Sequence, residues 1–237
     1  MSKSRKNFPD PWKLINEYGS DALRFYLMNS VVMQAENLDF NEKGVKEIYN
    51  KVINTLYNVV SFYELYADVK PKAGSTHLLD QWIFGKTNQL VAEVSKEMDS
   101  YDMVRATRFI SDFIQELSTW YVRRSRDRFK DESTKAETLG TLHAVLEILA
   151  KVIAPFMPLA ADHVWMALKQ QDTQSAHLAD WPHSDHKLID KKLLEEMGSA
   201  RTFVEKAHAL RAGAGIKVRQ PLSKLEMPLP SFSRLAI

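Results

Sequence analysis

Apolar residues recur at spacings of three and four along most of this chain, the periodicity of helices that bury one face. From Asn41 to Tyr66 the stripe is Val45, Ile48, Val52, Leu56, Val59, Tyr63 and Tyr66. A second helix is predicted from about His77 to Asp99, with Leu79, Ile83, Leu90, Val94 and Met98 inward. A third, from Asp102 to about Phe129, carries Met103, Ala106, Ile110, Phe113, Leu117 and Trp120, and a fourth, from about Asp131 to Ile153, carries Leu139, Leu142, Leu146, Leu149 and Ile153. Four long amphipathic helices with short connections predict an antiparallel helical bundle.

Punctuation residues place the shorter elements. Asp10-Pro11 reads as a helix N-cap followed by its first residue, and Gly19 divides residues 11–30 into two short helices, with Ser20 as the second cap. Lys70 to Ser75, with Pro71 and Gly74, reads as a linker. Ala154-Pro155-Phe156-Met157-Pro158 ends the fourth helix and restarts another, which runs to Lys169. After an irregular segment from Gln170 to His186, residues 188–211 are helical again, with Leu193, Met197, Ala200, Val204 and Ala207 on one face. Beyond Gly213-Ala-Gly215, the alternation of Ile216 and Val218, and later Leu225 and Met227, predicts a hairpin or strand pair. The expected fold is mainly α: a loop-helix segment at 1–40, the bundle at 41–186, and a small α/β extension at 187–237 that needs further chain to complete a sheet.

Composition narrows the chemistry. The chain has 237 residues, 45% of them hydrophobic, enough for a sizeable core. A net charge of +2 gives no global attraction to nucleic acid, so any such surface must be local. The absence of cysteine removes disulfides, thiolate catalysis and Cys-ligated zinc. No apolar run reaches the roughly twenty residues that span a bilayer, so no membrane partner is expected. His183-x-x-His186 lies in a loop without further ligands, and no metal site is expected. Gly213-x-Gly215 follows a helix and lacks the third glycine of a dinucleotide fingerprint. His143 and His208 sit on helices, where packing or exposure explains them.

Two segments carry candidate chemistry. At the start, MSKSRKNFPDP offers the hydroxyls of Ser2 and Ser4 and the ammonium of Lys3, followed by Arg5 and Lys6. These donors can grip a polyphosphate or form an ordinary basic terminus. In the interior, residues 119–130 hold five basic side chains and one acidic, a local +4. At about 100° per residue, Arg124 and Arg128 continue the line of Ile110, Phe113 and Leu117, while Arg123, Arg126 and Lys130 share another flank with Arg105 and Arg108. Guanidinium groups are not buried without partners, so this end must overhang the bundle, meet carboxylates or line a groove. Core packing of Trp120 and a solvated, dipole-completing helix end account for part of the pattern. Interleaved aromatic and arginine residues also suit phosphate contacts and stacking on unpaired RNA bases.

The order SKSRKNxPDP resembles the KMSKS loop of class I aminoacyl-tRNA synthetases without its first lysine, and Lys6 replaces the glycine many members carry. The resemblance extends through WYVRRSRDRF, IAPFMPLAADHVW, SAHLADWP and LRAGAGIKVRQPL, which are similar in kind and order to the anticodon-binding bundle and the following junction of isoleucyl-tRNA synthetases. It implies the C-terminal portion of such an enzyme, with valyl and leucyl relatives, a free-standing RNA-binding bundle and a protein-interaction bundle as alternatives. It further implies Lys3 as the catalytic, ATP-contacting lysine, with Ser2 and Ser4 beside it. Trp120, Arg123, Arg124, Arg126 and Arg128 become tRNA contacts, with Lys217 and Arg219 as further candidates. The implied partners are isoleucine tRNA, L-isoleucine and ATP with Mg2+. The last two would be held through a nucleotide-binding domain that this chain lacks, since it has no HxGH signature. This segment alone is therefore expected to be catalytically inactive and to need no cofactor, and the implied location is the cytoplasm.

Overall fold

Several of the helices begin where a side chain satisfies a free backbone donor. The computed structural model describes residues 10–168, 175–224 and 226, so Ser2, Lys3, Ser4, Leu225 and Met227 lie outside the described residues. Asp10 accepts from the Trp12 amide at 3.0 Å and Pro11 opens α1 (Pro11–Tyr18). Gly19, at φ 85°, turns the chain into α2 (Ser20–Met28); the cap is Gly19, and Ser20 is already helical. Asn41 caps α3 (Glu42–Ile48), which continues through a π segment, Tyr49–Ile53, into α4 (Asn54–Tyr66).

His77 and Asp102 cap the next two helices, α5 (Leu78–Asp99) and α6 (Met103–Glu116). A second π segment, Leu117–Val122, joins α6 to α7 (Arg123–Lys130) without a break. A turn then leads to α8 (Lys135–Ile153), and Pro158 opens α9 (Pro158–Ala167). The last helix, α10 (Lys191–Gly213), is capped by Asp190.

Met1–Leu188 and Ile189–Ile237 form separate compact units. In the first, α5 packs on α6 and α8, α8 also meets α7 and α9, and α4 lies against α8 and α9. The predicted stripes form its core: Val52, Leu56, Val59 and Tyr63 from α4 and its π entry, Ile83, Leu90 and Val94 from α5, Ile110 and Phe113 from α6, and all five predicted positions of α8 are buried. The connecting helices belong to the same unit. Asp21 accepts from the Ala160 amide at 2.7 Å, and Arg24 donates to the Pro155 carbonyl at 2.8 Å, both at the entrance of α9. No helix among the described residues is long and apolar enough to cross a membrane.

Among the described residues, the strand expected at Ile216–Val218 is not found. Among the described residues after 213, residues 214–220 form turns, and the carbonyls of Lys217, Val218 and Gln220 all accept from the Arg211 guanidinium. Those carbonyls are satisfied locally, which leaves the Ile216–Val218 alternation no ladder to join.

The linker is strapped across α8. The Lys72 amide donates to the Ala136 carbonyl at 2.9 Å, and Lys72 Nζ meets Glu137 at 2.7 Å. A Cβ at Gly140 would lie 2.1 Å from the Lys72 carbonyl oxygen. Gly140→Ala must therefore displace the strap, and urea denaturation is expected to show a loss of about 1–3 kcal/mol.

His143 is half-buried, with Nδ1 2.8 Å from the Tyr63 hydroxyl, and burial pushes its pKa below the ordinary 6.5, with Glu147 opposing. Its ring thus favours the neutral form when folded, and the unfolded chain takes up the proton first as pH falls through 6.5. Stability is therefore lost on acidification between that value and the lower folded-state pKa. Urea midpoints measured from pH 7 to 5 are expected to fall, and His143→Gln is expected to flatten that slope.

Candidate nucleic-acid interface at the arginine helix

The basic segment is turned differently from an ideal helix. Between Leu117 and Val122 the wider π turn takes up one extra residue. One residue is about 100° of rotation, so Ser125 and Phe129 occupy the inward positions that regular spacing assigns to Arg124 and Arg128. The buried line accordingly runs Phe113, Leu117, Tyr121, Ser125, Phe129. Phe129 is enclosed by Phe62 and Tyr66, with ring centroids 4.9 and 5.5 Å away, which fastens α7 to α4.

Arg123, Arg124 and Arg126 are exposed, with Lys130 beside them at the end of the helix. The Arg124 guanidinium lies 4.7 Å from the centroid of the half-exposed Trp120 ring, a cation–π stack on the outer face. Arg105, expected on the same flank, faces Asp102 at 3.3 Å and Glu97 at 3.8 Å.

Arg128 departs from the expected outward role. Its Nη1 and Nη2 donate to Asp80 Oδ1 and Oδ2 at 2.8 and 2.6 Å, and its side chain is only 15% exposed. Asp80, in the first turn of α5, is fully buried and also accepts from the Tyr121 hydroxyl at 2.8 Å and from Ser75 Oγ at 2.5 Å. Burial raises the Tyr121 pKa well above its ordinary value and the adjacent Asp80 charge adds to it, so the phenol stays a donor. Burial opposes the charge of Arg128, but the Asp80 hydrogen bonds and charge outweigh it and raise its pKa. His77, whose Nδ1 accepts from the Leu79 amide at 3.2 Å, has its pKa lowered by burial and by Arg128.

Sequence reasoning missed Asp80 and Ser75. The available signal was an acid at position 80, three residues before buried Ile83 and seven before buried Thr87, which places it on the inward side of α5. An acid in a first helical turn also suits the dipole, and that ordinary explanation hides the buried role.

Lys217 and Arg219 belong to the second unit, where both are exposed in the turn held by Arg211. His183 and His186 are exposed on an open groove of about 870 Å3 with Trp181, whose Nε1 donates to Ser95 Oγ at 2.8 Å. Among the described residues, no three His, Cys, Asp or Glu side chains are grouped to hold a metal ion.

Known proteins share these elements. Residues 1–39 match the family described as class I tRNA synthetases (I, L, M and V). The isoleucine–tRNA ligase of Chlamydia trachomatis serovar D is 39% identical over 235 residues, covering 95% of this chain and 23% of its own length. That of Protochlamydia amoebophila is 35% identical over 241 residues, covering 96% of this chain and 23% of its own length. The chain thus spans less than a quarter of the curated relatives it matches. The LeuRS of an Agrobacterium radiobacter K84 ternary complex with tRNA and LeuAMS superposes with a TM-score of 0.60 at 16% identity, over 80% of this chain and 23% of that one, a likeness of fold. Residues 80–226, from the buried Asp80 through the arginine helix and beyond, match the anticodon-binding domain of tRNA ligase, and the chain belongs to that family.

Proposed function

We propose that this chain grips the anticodon arm of an isoleucine tRNA as the distal part of an isoleucyl-tRNA synthetase, working in the cytoplasm. The observation that carries the reading is the outward array of Arg123, Arg124 and Arg126 on a helix whose inner side is locked by Phe129 and the Asp80–Arg128 pair. Three exposed cations on one helix suit phosphate contacts, and the Trp120–Arg124 stack suits an unpaired base. Lys217 and Arg219 are carried as further backbone contacts. Arg128 is assigned to the fold, because its charge is already spent on Asp80. The amino acid is taken as isoleucine because the relatives at 35–39% identity are isoleucine–tRNA ligases, whereas the LeuRS likeness supports a leucyl reading only through fold.

In the longer protein, a class I catalytic domain would supply L-isoleucine activation with ATP and Mg2+. Ser2, Lys3 and Ser4 would close over the phosphates, Lys3 steadying the charge that builds toward pyrophosphate. There Lys3→Ala is expected to slow adenylate formation about 100-fold while tRNA affinity is nearly unchanged, since an interaction made mainly in the transition state lowers rate and spares binding. Equal losses in both assays would remove Lys3 from this role.

For RNA recognition, Arg123→Glu, Arg124→Glu and Arg126→Glu together are expected to abolish binding of an isoleucine anticodon stem-loop to this chain at low salt while thermal stability holds. Restoring single arginines is expected to steepen the salt dependence by about 0.7–0.9 in log–log slope per phosphate contact regained. A wild-type titration that stays flat at low salt would instead favour the helix pairing with an acidic protein surface. Arg128→Met is expected to behave oppositely, costing about 3–5 kcal/mol of stability by stranding the buried Asp80 charge.

A further inference from the structure

We propose that Asp80 is a positioning residue for RNA recognition, holding the arginine helix in the rotational setting that turns Arg124 outward beside Arg123 and Arg126; this rests on reading α7 as the RNA-facing element. The carboxylate ties the π turn to the helix that follows it. Its Oδ1 accepts from Tyr121, inside the turn, and from Arg128, in the helix beyond it, while Oδ2 accepts from Arg128 and Ser75. The setting of α7 depends on that turn, because closing it to regular α geometry rotates everything downstream by about 100°. The regular form would point Arg124 and Arg128 at the core and turn Ser125 and Phe129 out of it. In the π form Arg128 meets a carboxylate that is itself fully buried, and Phe129 keeps its aromatic enclosure.

Asp80 therefore does more than neutralise one arginine. It rewards a single register of a helix that has two, and the exposed position of Arg124 follows from that choice, while Arg123 and Arg126 lie off the core stripe in either register. The residue lies outside the arginine-rich segment and its buried carboxylate has no surface with which to touch RNA. It acts through Tyr121 and Arg128.

Asp80→Asn keeps the side-chain shape and removes the charge. In the whole chain, amide hydrogen exchange across residues 117–130 is expected to speed up by about tenfold or more while α8 stays protected, a local loosening read without any RNA. Anticodon stem-loop affinity is expected to fall by about tenfold, with a shallower salt slope because fewer phosphates are reached together. Leu146→Ala, which opens a cavity in the core far along the chain from α7, controls for lost stability and is expected to leave the slope unchanged.

If Asp80→Asn does not fold, Tyr121→Phe, which keeps the ion pair and removes one hydrogen bond to it, is measured in the same way and is expected to show smaller changes in the same direction. Unchanged protection of residues 117–130 in the variants that fold overturns the proposal, as does an unchanged salt slope where wild type binds RNA. Absence of wild-type RNA binding overturns the RNA reading instead, and the exchange measurement then still decides whether Asp80 sets the helix.

Discussion

A carboxylate with no exposed surface keeps its charge only where cations and hydrogen-bond donors replace the lost water, and Asp80 obtains all of them from one small region. The bidentate Arg128 fork supplies the charge, and Tyr121 and Ser75 fill the remaining lone pairs. A buried ion pair of this kind is weak evidence of extra stability, because desolvation cancels much of the attraction. Its stronger consequence is geometric. The placement of α5, the linker and the arginine helix seen here satisfies every partner at once.

That constraint is met through departures from ideal helix geometry. The π segment before α7 shifts the buried line by one residue, exchanging arginines for Ser125 and Phe129 on the inward side. The other π segment, between α3 and α4, is met by α6, whose Gln115 donates to the Lys51 carbonyl. π turns leave backbone groups out of the regular ladder, and a side-chain amide from the neighbouring helix is a direct way to satisfy one. The helices that carry the candidate interface are thus registered against each other by polar contacts as well as by core packing.

The same unit ties the interface to the segment that precedes it. Asp21 sits at the start of α9, where the helix dipole favours a negative charge, and Arg24 reaches the carbonyl of Pro155 just upstream. Burial nevertheless raises the Asp21 pKa, against the lowering effect of the Ala160 and Leu159 amides and of Arg24. The helix α2, within the segment that matches class I synthetases, is thereby built onto the bundle by named polar contacts.

Much of this was written in local pattern. Spacings of three and four located each long helix to within a few residues, since burying one face of a helix leaves a periodic record. Asp10, Gly19, Asn41 and Pro158 marked boundaries, because capping and proline geometry act within a few residues. The arginine cluster and its aromatic neighbour were equally visible. What periodicity could not reveal was the π turn, whose extra residue is stabilised by a carboxylate forty residues upstream. With an ideal 100° step, Arg124 and Arg128 both fall in line with the core stripe, and Asp80 looks like a dipole-favoured acid. The strands expected near Ile216 failed for a related reason, as Arg211 captures three carbonyls that a sheet would have used. The sequence by itself determined which segments are helical and which carry positive charge. The tertiary structure alone decided which arginines remain free to meet a partner, because that depends on where a buried negative charge finds its counter-ion.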